Sequence, residues 1–129
     1  MKTLIKNGTV ITAEITRKAD VLFEGEIIRR VEENIQDPDA ELIDASGMLV
    51  LPGGVDPHVH LELPMMGTIS ADDHYTGGKA AAFGGTTTMI DFVSQEPVSL
   101  AENIARYRAM VDPKTSIDYS VHMNITHFD

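Results

Sequence analysis

The residues of this chain best suited to chemistry are His58 and His60, in the run Gly54-Val55-Asp56-Pro57-His58-Val59-His60. Residues two apart on a strand project from one face, so a strand here sets two imidazoles within reach of a single divalent ion. Imidazole suits zinc, and a catalytic zinc keeps an open position for water beside its protein ligands. Iron, nickel and manganese accept such donors to differing degrees. Asp56 shares the face and is a candidate to orient an imidazole through its other ring nitrogen. By itself a His-x-His is a weak signal, since a solvated strand face reads the same way. The chain has no cysteine, which excludes thiolate ligands and disulfides alike.

The elements that must position this pair fall into two textures. Up to residue 50 the chain alternates in short segments, with strands expected at 3–6, 9–12, 19–23, 27–31, 41–44 and 48–51. Asn7-Gly8 is a turn signal, and Glu24-Gly25 reads as the turn of a hairpin. Strands this short with no helix between them suggest a sandwich-like antiparallel sheet. After Leu51-Pro52-Gly53-Gly54 the period changes. A strand is expected over 55–61, then a helix over 70–83 stopped by Gly84-Gly85, then an apolar strand over 86–93. A second helix over 99–110 opens on Ser99 and Glu102, spaced as a capping box, and ends at Asp112-Pro113. A third strand follows over 117–126. Strands alternating with helices of this length indicate βαβ units and a parallel sheet. The fold class is therefore α/β, with domains expected at 1–52 and 53–129. The histidine pair falls at the C-terminal end of the first strand of the second domain, where parallel barrels carry their chemistry.

Composition narrows the partners. The 129 residues, 43% apolar and 23% charged, suit an ordinary globular domain. A net charge of −10, with Arg29-Arg30 an isolated basic pair, argues against nucleic acid, because phosphate binding needs clustered Lys and Arg. Residues 1–10 are polar and alternating, unlike a signal peptide or a membrane span. A cytoplasmic protein with no membrane partner is expected.

Beyond the pair, several blocks together resemble the N-terminal part of the cyclic amidohydrolases, nearest to dihydropyrimidinase and D-hydantoinase. They are Leu4-Ile5-Lys6-Asn7-Gly8-Thr9-Val10, Gly53 to His60, and Leu63-Pro64-Met65-Met66-Gly67-Thr68. Ala71-Asp72-Asp73, the run Gly84 to Phe92, and Asp118-Tyr119 continue the match. The resemblance implies the first three strands of a TIM-like (βα)8 barrel, preceded by half of a small β-sandwich built from both chain ends. It implies two divalent metal ions, usually zinc, sharing a hydroxide that attacks a ring amide carbon. His58 and His60 match the first two ligands. The bridging carboxylated lysine, two further histidines and an aspartate of that family fall beyond residue 129. Lys79 and Lys114, expected on a helix and in a loop, do not stand in for that lysine.

Within the family, dihydroorotases carry an arginine that grips the substrate carboxylate where this chain has Glu62. Glu62 would repel a carboxylate, which points to a neutral cyclic imide, either a dihydropyrimidine or a 5-substituted hydantoin. Leu63, Met65 and Met66 match a substrate-gating loop, with an apolar and deformable wall; the methionines also read as ordinary core. Asp91 is a candidate to orient groups of the metal site, or a buried structural carboxylate. His74 is expected at the surface or in a subunit contact. His122 reads as a hydrogen-bonded structural histidine or one facing the barrel, and His127 lies near the barrel mouth. The whole protein is expected to be a homotetramer of pyrimidine catabolism. The 129 residues are expected to be a piece of a longer chain, inactive alone and with an open sheet edge and an uncovered apolar face. Two alternatives stand beside this: a non-catalytic scaffold of the same fold, or another cyclic amidohydrolase, allantoinase- or dihydroorotase-like.

Overall fold

Residues that take the backbone through positive φ cut the first part of the chain into short strands. In the computed structural model, which describes residues 1–128, Asn7, Gly25, Asn34 and Gly47 have φ of 65°, 59°, 58° and 75°. Gly and Asn tolerate this left-handed region better than other residues. Between and around these turns run β1 (Lys2–Lys6), β2 (Thr9–Ile11), β3 (Thr16–Lys18), β4 (Asp20–Glu24), β5 (Ile27–Glu32), β6 (Glu41–Asp44) and β7 (Leu49–Val50). They form two sheets, ordered β5-β4-β1-β6 and β3-β2-β7. The β4–β5 hairpin turns at Glu24-Gly25 as its sequence signal predicts. The sheets are mixed, however, not antiparallel: β6 pairs with β1, and β7 with β2, in parallel. Hairpin logic governs strands joined by tight turns, whereas β6 and β7 return from further along the chain to strands laid down earlier. The polar, exposed β3 shows no alternation and is absent from the sequence reading; only its ladder to β2 reveals it. Leu4, Leu22 and Ile35 form one small core here, and Val10, Ala19 and Val21 another.

The chain divides by its internal contacts into Met1–Pro52 and Gly53–Asp129. The second unit contains β8 (Gly54–Asp56), the hairpin β9 (Pro64–Met65) and β10 (Thr68–Ile69), α1 (His74–Phe83), β11 (Thr86–Ser94), α2 (Leu100–Val111) and β12 (Asp118–Asn124). Strands β8, β11 and β12 make a parallel sheet ordered β12-β11-β8, with the helices in the connections, so this unit is α/β. Two boundaries move for local reasons. β8 stops at Asp56 because Pro57 has no N–H to give the ladder. α1 begins at His74, four residues later than expected, because Asp73 caps it. The Asp73 carboxylate accepts the Thr76 N–H at 2.7 Å, and the Thr76 hydroxyl accepts the Asp73 N–H at 3.1 Å. At α2, Ser99 accepts the Glu102 N–H at 3.1 Å. Glu102 does not reciprocate; its carboxylate turns to Arg106, 2.6 Å away. Among the described residues no helix is long and apolar enough to cross a membrane.

The centre of this unit is polar. Alongside Met89, Val93 and Val111, the buried residues include His74 (1% exposed), Asp91 (4%) and Asn103 (4%). His74 is thus not at the surface, as its sequence context suggests, but is enclosed by the start of α1. Both its ring nitrogens meet carboxylates: Nδ1 donates to Glu62 Oε2 at 2.8 Å and Nε2 to Asp91 Oδ2 at 3.1 Å. The Tyr107 hydroxyl donates to the same Asp91 oxygen at 2.9 Å. The Tyr107 hydroxyl also lies 2.8 Å from Nε2; the protonated ring, a donor at both nitrogens, satisfies Glu62 and Asp91 together. Burial pushes the His74 pKa down, but Asp91 and Glu62 outweigh it and hold the pKa above the ordinary value. Burial likewise raises the Asp91 carboxyl, and His74, the Phe92 N–H and Tyr107 overcome this to hold it below the usual range.

His74→Ala leaves two carboxylates facing a buried space without their cation. Breaking a buried pair from one side costs about 3–5 kcal/mol, to be read from urea unfolding of the chain. The pH dependence follows from the directions. The raised His74 pKa gives stability that is complete below about pH 6.5 and is lost as pH rises through the folded value. The lowered Asp91 pKa gives stability that is complete above about pH 4 and is lost as pH falls through the folded value. Melting temperatures should therefore peak between these limits and decline on the alkaline side. His74→Gln should flatten that alkaline decline; an unaltered slope would refute the imidazolium.

Candidate metal site

The histidine pair is placed by what happens just after β8. Val55 pairs with Thr88 and Asp56 with Met89 on β11. At Pro57 the regular ladder ends, yet the Val59 N–H still donates to the Ile90 carbonyl at 3.1 Å. His58 and His60 flank that anchor and project together, their Nε2 atoms 3.1 Å apart. The expected strand over 55–61 is therefore short, but the shared face it was to provide exists. Asp56 acts on the backbone: its Oδ1 accepts the His58 N–H at 3.1 Å, an Asx turn that fixes the corner. Among the described hydrogen bonds its carboxylate reaches neither ring.

Phe92 forms the floor. Its ring centroid lies 4.6 Å from that of His58 and 5.1 Å from that of His60. His122 packs on Phe92 at 4.9 Å and points its Nε2 at the Pro57 carbonyl, 3.1 Å away, so it braces the corner. His127 lies apart from the pair: its N–H donates to Gln95 Oε1 at 3.1 Å, and its Nδ1 lies 3.3 Å from the Thr126 hydroxyl.

Two nitrogens each about 2.0–2.1 Å from one tetrahedral zinc are separated by about 3.3 Å. The observed separation fits two ligands of one ion, and both rings are exposed to an arriving metal. Two imidazoles are an incomplete set. Among the described residues no group of three or more His, Asp or Glu is arranged to hold an ion. Lys79 is exposed on α1, and the Lys114 ammonium is bonded to Glu62, so neither lysine stands beside the pair.

Glu62 differs from its sequence reading. Its Oε2 accepts the His74 ring proton and, at 3.3 Å, the His74 backbone N–H, while Oε1 accepts Lys114. Burial raises its carboxyl, but Lys114 and His74 bring it down to about 2. The group is ionised, with Lys114 on one oxygen and the His74 ring on the other, so where it lines the hollow it does not present the free negative charge that would repel a carboxylate. The sequence shows no sign of this, because Lys114 is 52 residues away. The whole cluster of His74, Tyr107 and Lys114 around Glu62 and Asp91 is what sequence reasoning missed.

The segment matching a gating loop is the β9–β10 hairpin. Met65 is 54% exposed and Met66, at the turn with φ 51°, is 97% exposed, so neither is core. Leu63 is half-buried and, with Leu61, Pro64, Phe92, Val93 and Met110, lines a hollow of about 480 Å³ next to the histidine floor.

Comparison with known proteins gives the same answer from several sources. The chain is 43% identical over 127 residues to the D-hydantoinase of Geobacillus stearothermophilus, covering 98% of this chain and 27% of that one. It is 45% identical over 125 residues to the dihydropyrimidinase of Dictyostelium discoideum, covering 95% and 25%. The crystal structure of dihydropyrimidinase from Brevibacillus agri superimposes with a TM-score of 0.95 at 45% identity, over 100% of this chain and 28% of that one. No family model matches. The chain spans about a quarter of the length of these relatives, and over that span it belongs to the dihydropyrimidinase and D-hydantoinase family.

Proposed function

We propose that this chain supplies the metal-holding N-terminal part of a hydrolase that opens the ring of a cyclic amide, either a dihydropyrimidine or a 5-substituted hydantoin. The observation that carries this is the convergence of His58 and His60 Nε2 to 3.1 Å just beyond β8, in a chain 43–45% identical to proteins named for those activities. On this reading β8, β11 and β12 begin a (βα)8 barrel, and Met1–Pro52 is one part of a β-sandwich. His58 and His60 hold a divalent ion, zinc by preference for imidazole, and the remaining ligands of a two-metal site come from outside the 129 residues. When bound, the metal supplies an activated water and a Lewis acid for the ring carbonyl.

The chain's own residues do the rest of the local work. Phe92 backs both imidazoles and keeps bulk water from their inner side, and Asp56 holds the corner that aims them. Leu63, Met65 and Met66 form an apolar wall over the ring substituent, deformable because methionine is. With only two ligands of the set, the 129 residues alone do not turn over substrate. The assembled enzyme is read as a homotetramer.

Zinc titration of the chain, followed by the ring resonances of its histidines, should move His58 and His60 first. Alanine at either position should weaken binding by about tenfold or more, since each supplies half of the available donors. In a protein that carries these residues together with the missing ligands, chelation should abolish ring opening and zinc restore it. Ring opening that survives both chelation and alanine at His58 and His60 would sink the reading in favour of a metal-independent activity. Zinc bound with no turnover would favour a non-catalytic scaffold.

A further inference from the structure

We propose that His74 is the positioning residue of the histidine pair: clamped between Glu62 and Asp91, it locks the segment after His60 and the Phe92 floor into one arrangement. The proposal rests on the reading that His58 and His60 hold the metal. At 1% exposure His74 is closed to solvent, and its ring bonds to Glu62, Asp91 and Tyr107 but to neither imidazole, so whatever it does for the site it does through other groups.

Asp91 carries the first connection. Its Oδ1 accepts the Phe92 N–H at 2.7 Å, and its Oδ2 faces the Leu61 N–H at 3.4 Å as well as the His74 ring. One carboxylate thus touches the residue under both imidazoles and the residue that follows His60. Its own rotamer is held by the His74 ring together with the Tyr107 hydroxyl, which donates to the same oxygen at 2.9 Å. Glu62 carries the second connection. Its φ is 50°, a left-handed conformation that non-glycine residues keep only when their surroundings over-determine it. Here the surroundings are the His74 backbone and ring on Oε2, Lys114 on Oε1, and the Asp72 carbonyl, which accepts the Glu62 N–H at 3.1 Å. One turn along α1, a side chain at Gly77 would fall 2.6 Å from Leu61 Cδ2; the helix that carries His74 is pressed against the same segment. Without His74 the Asp91 rotamer, the Glu62 backbone and the seating of α1 all lose their common fastening. The two imidazoles would then have to pay ordering entropy on binding that the native chain has already met.

The test is the zinc affinity of the chain with three substitutions. His74→Phe fills the volume without donors, His74→Gln keeps a donor able to reach one carboxylate, and Val111→Ala thins the core at a buried side chain that bonds to neither carboxylate (Val111 is 0% exposed). His74→Phe should weaken zinc binding 10- to 100-fold, His74→Gln should recover part of the loss, and Val111→Ala should lower the melting temperature with affinity unchanged. A folded His74→Phe chain with native affinity overturns the proposal. So does a Val111→Ala chain that loses as much, because general loosening would then explain the effect. Should His74→Phe fail to fold, His74→Gln decides alone, and native affinity in it is the overturning result. If the unaltered chain binds no zinc through His58 and His60, the proposed function fails by itself, and amide exchange judges His74. Faster exchange at Leu61 and Phe92 in His74→Gln, but not in Val111→Ala, upholds the positioning role, and unchanged exchange refutes it.

Discussion

An imidazolium enclosed between two carboxylates, His74 between Glu62 and Asp91, is the constraint on which the second unit turns. Charges taken out of water cost several kcal/mol each, and a buried group is tolerated only when every lone pair and proton finds a partner. Here they do. Lys114 compensates Glu62 from the more exposed side, Tyr107 donates to Asp91, and no buried side-chain nitrogen or oxygen among the described residues lacks a partner. The apolar contribution around this cluster is small, because the buried hydrophobic residues of the unit are Met89, Val93 and Val111. Apolar contacts of that kind are non-directional. A donor on each imidazole nitrogen admits far fewer arrangements, so the cluster fixes how α1, β11 and the segment after β8 meet.

In the positioning proposed for His74, the histidine pair takes its order from that cluster. Exposed rings gain little from packing, and a short anchored stretch on an otherwise irregular path would ordinarily let them sample several rotamers. Instead the path is held at intervals, by Asp56 at His58, by Ile90 at Val59, by Asp91 at Leu61, and by Asp72 at Glu62. Phe92, itself tied to Asp91, supplies the surface on which both rings lie. A site of this kind is open on the ligand side and rigid behind, as metal ligands must be to bind before their full set is assembled.

Much of the fold is legible in the sequence because its signals are local. Ser99 before α2, Gly84-Gly85 after α1, and the β-branched run of β11 each act within a few residues of themselves. The change of period near residue 52 likewise reflects the composition on either side. The boundary at Pro57 is legible as well, since proline has no N–H for the ladder, although alternation alone carries a strand past it. What stays hidden depends on distance along the chain. Nothing near Glu62 announces Lys114, and nothing near His74 announces Tyr107, 33 residues away. The parallel pairing of β6 with β1, and the polar strand β3, are invisible for the same reason: their warrant is a backbone ladder, not a side-chain pattern.

That hidden part changes the chemistry, because His74 and Lys114 compensate Glu62 where it lines the hollow. A carboxylate with both oxygens engaged and two cations alongside projects little field, so selection for a neutral ring cannot rest on it. Apolar groups lie nearest the imidazoles and on the hairpin, with Leu63 at the edge of the hollow, Met65 and Met66 exposed on the turn and Phe92 beneath the rings, while Glu96 and Arg106 line the hollow beside them. Selection by such a surface works through burial, at roughly 25 cal/mol for each Å² of apolar area covered. A methionine wall discriminates by fit more gently than a rigid one, since it can repack around different substituents. Met66 keeps φ at 51° on the turn that presents it, a conformation that costs about 1–3 kcal/mol. That cost fixes the direction in which a flexible side chain leaves the hairpin while leaving its rotamers free. On the proposed reading the site pairs two imidazoles held in one place with an apolar wall free to adapt, and the choice between rings would fall to that wall.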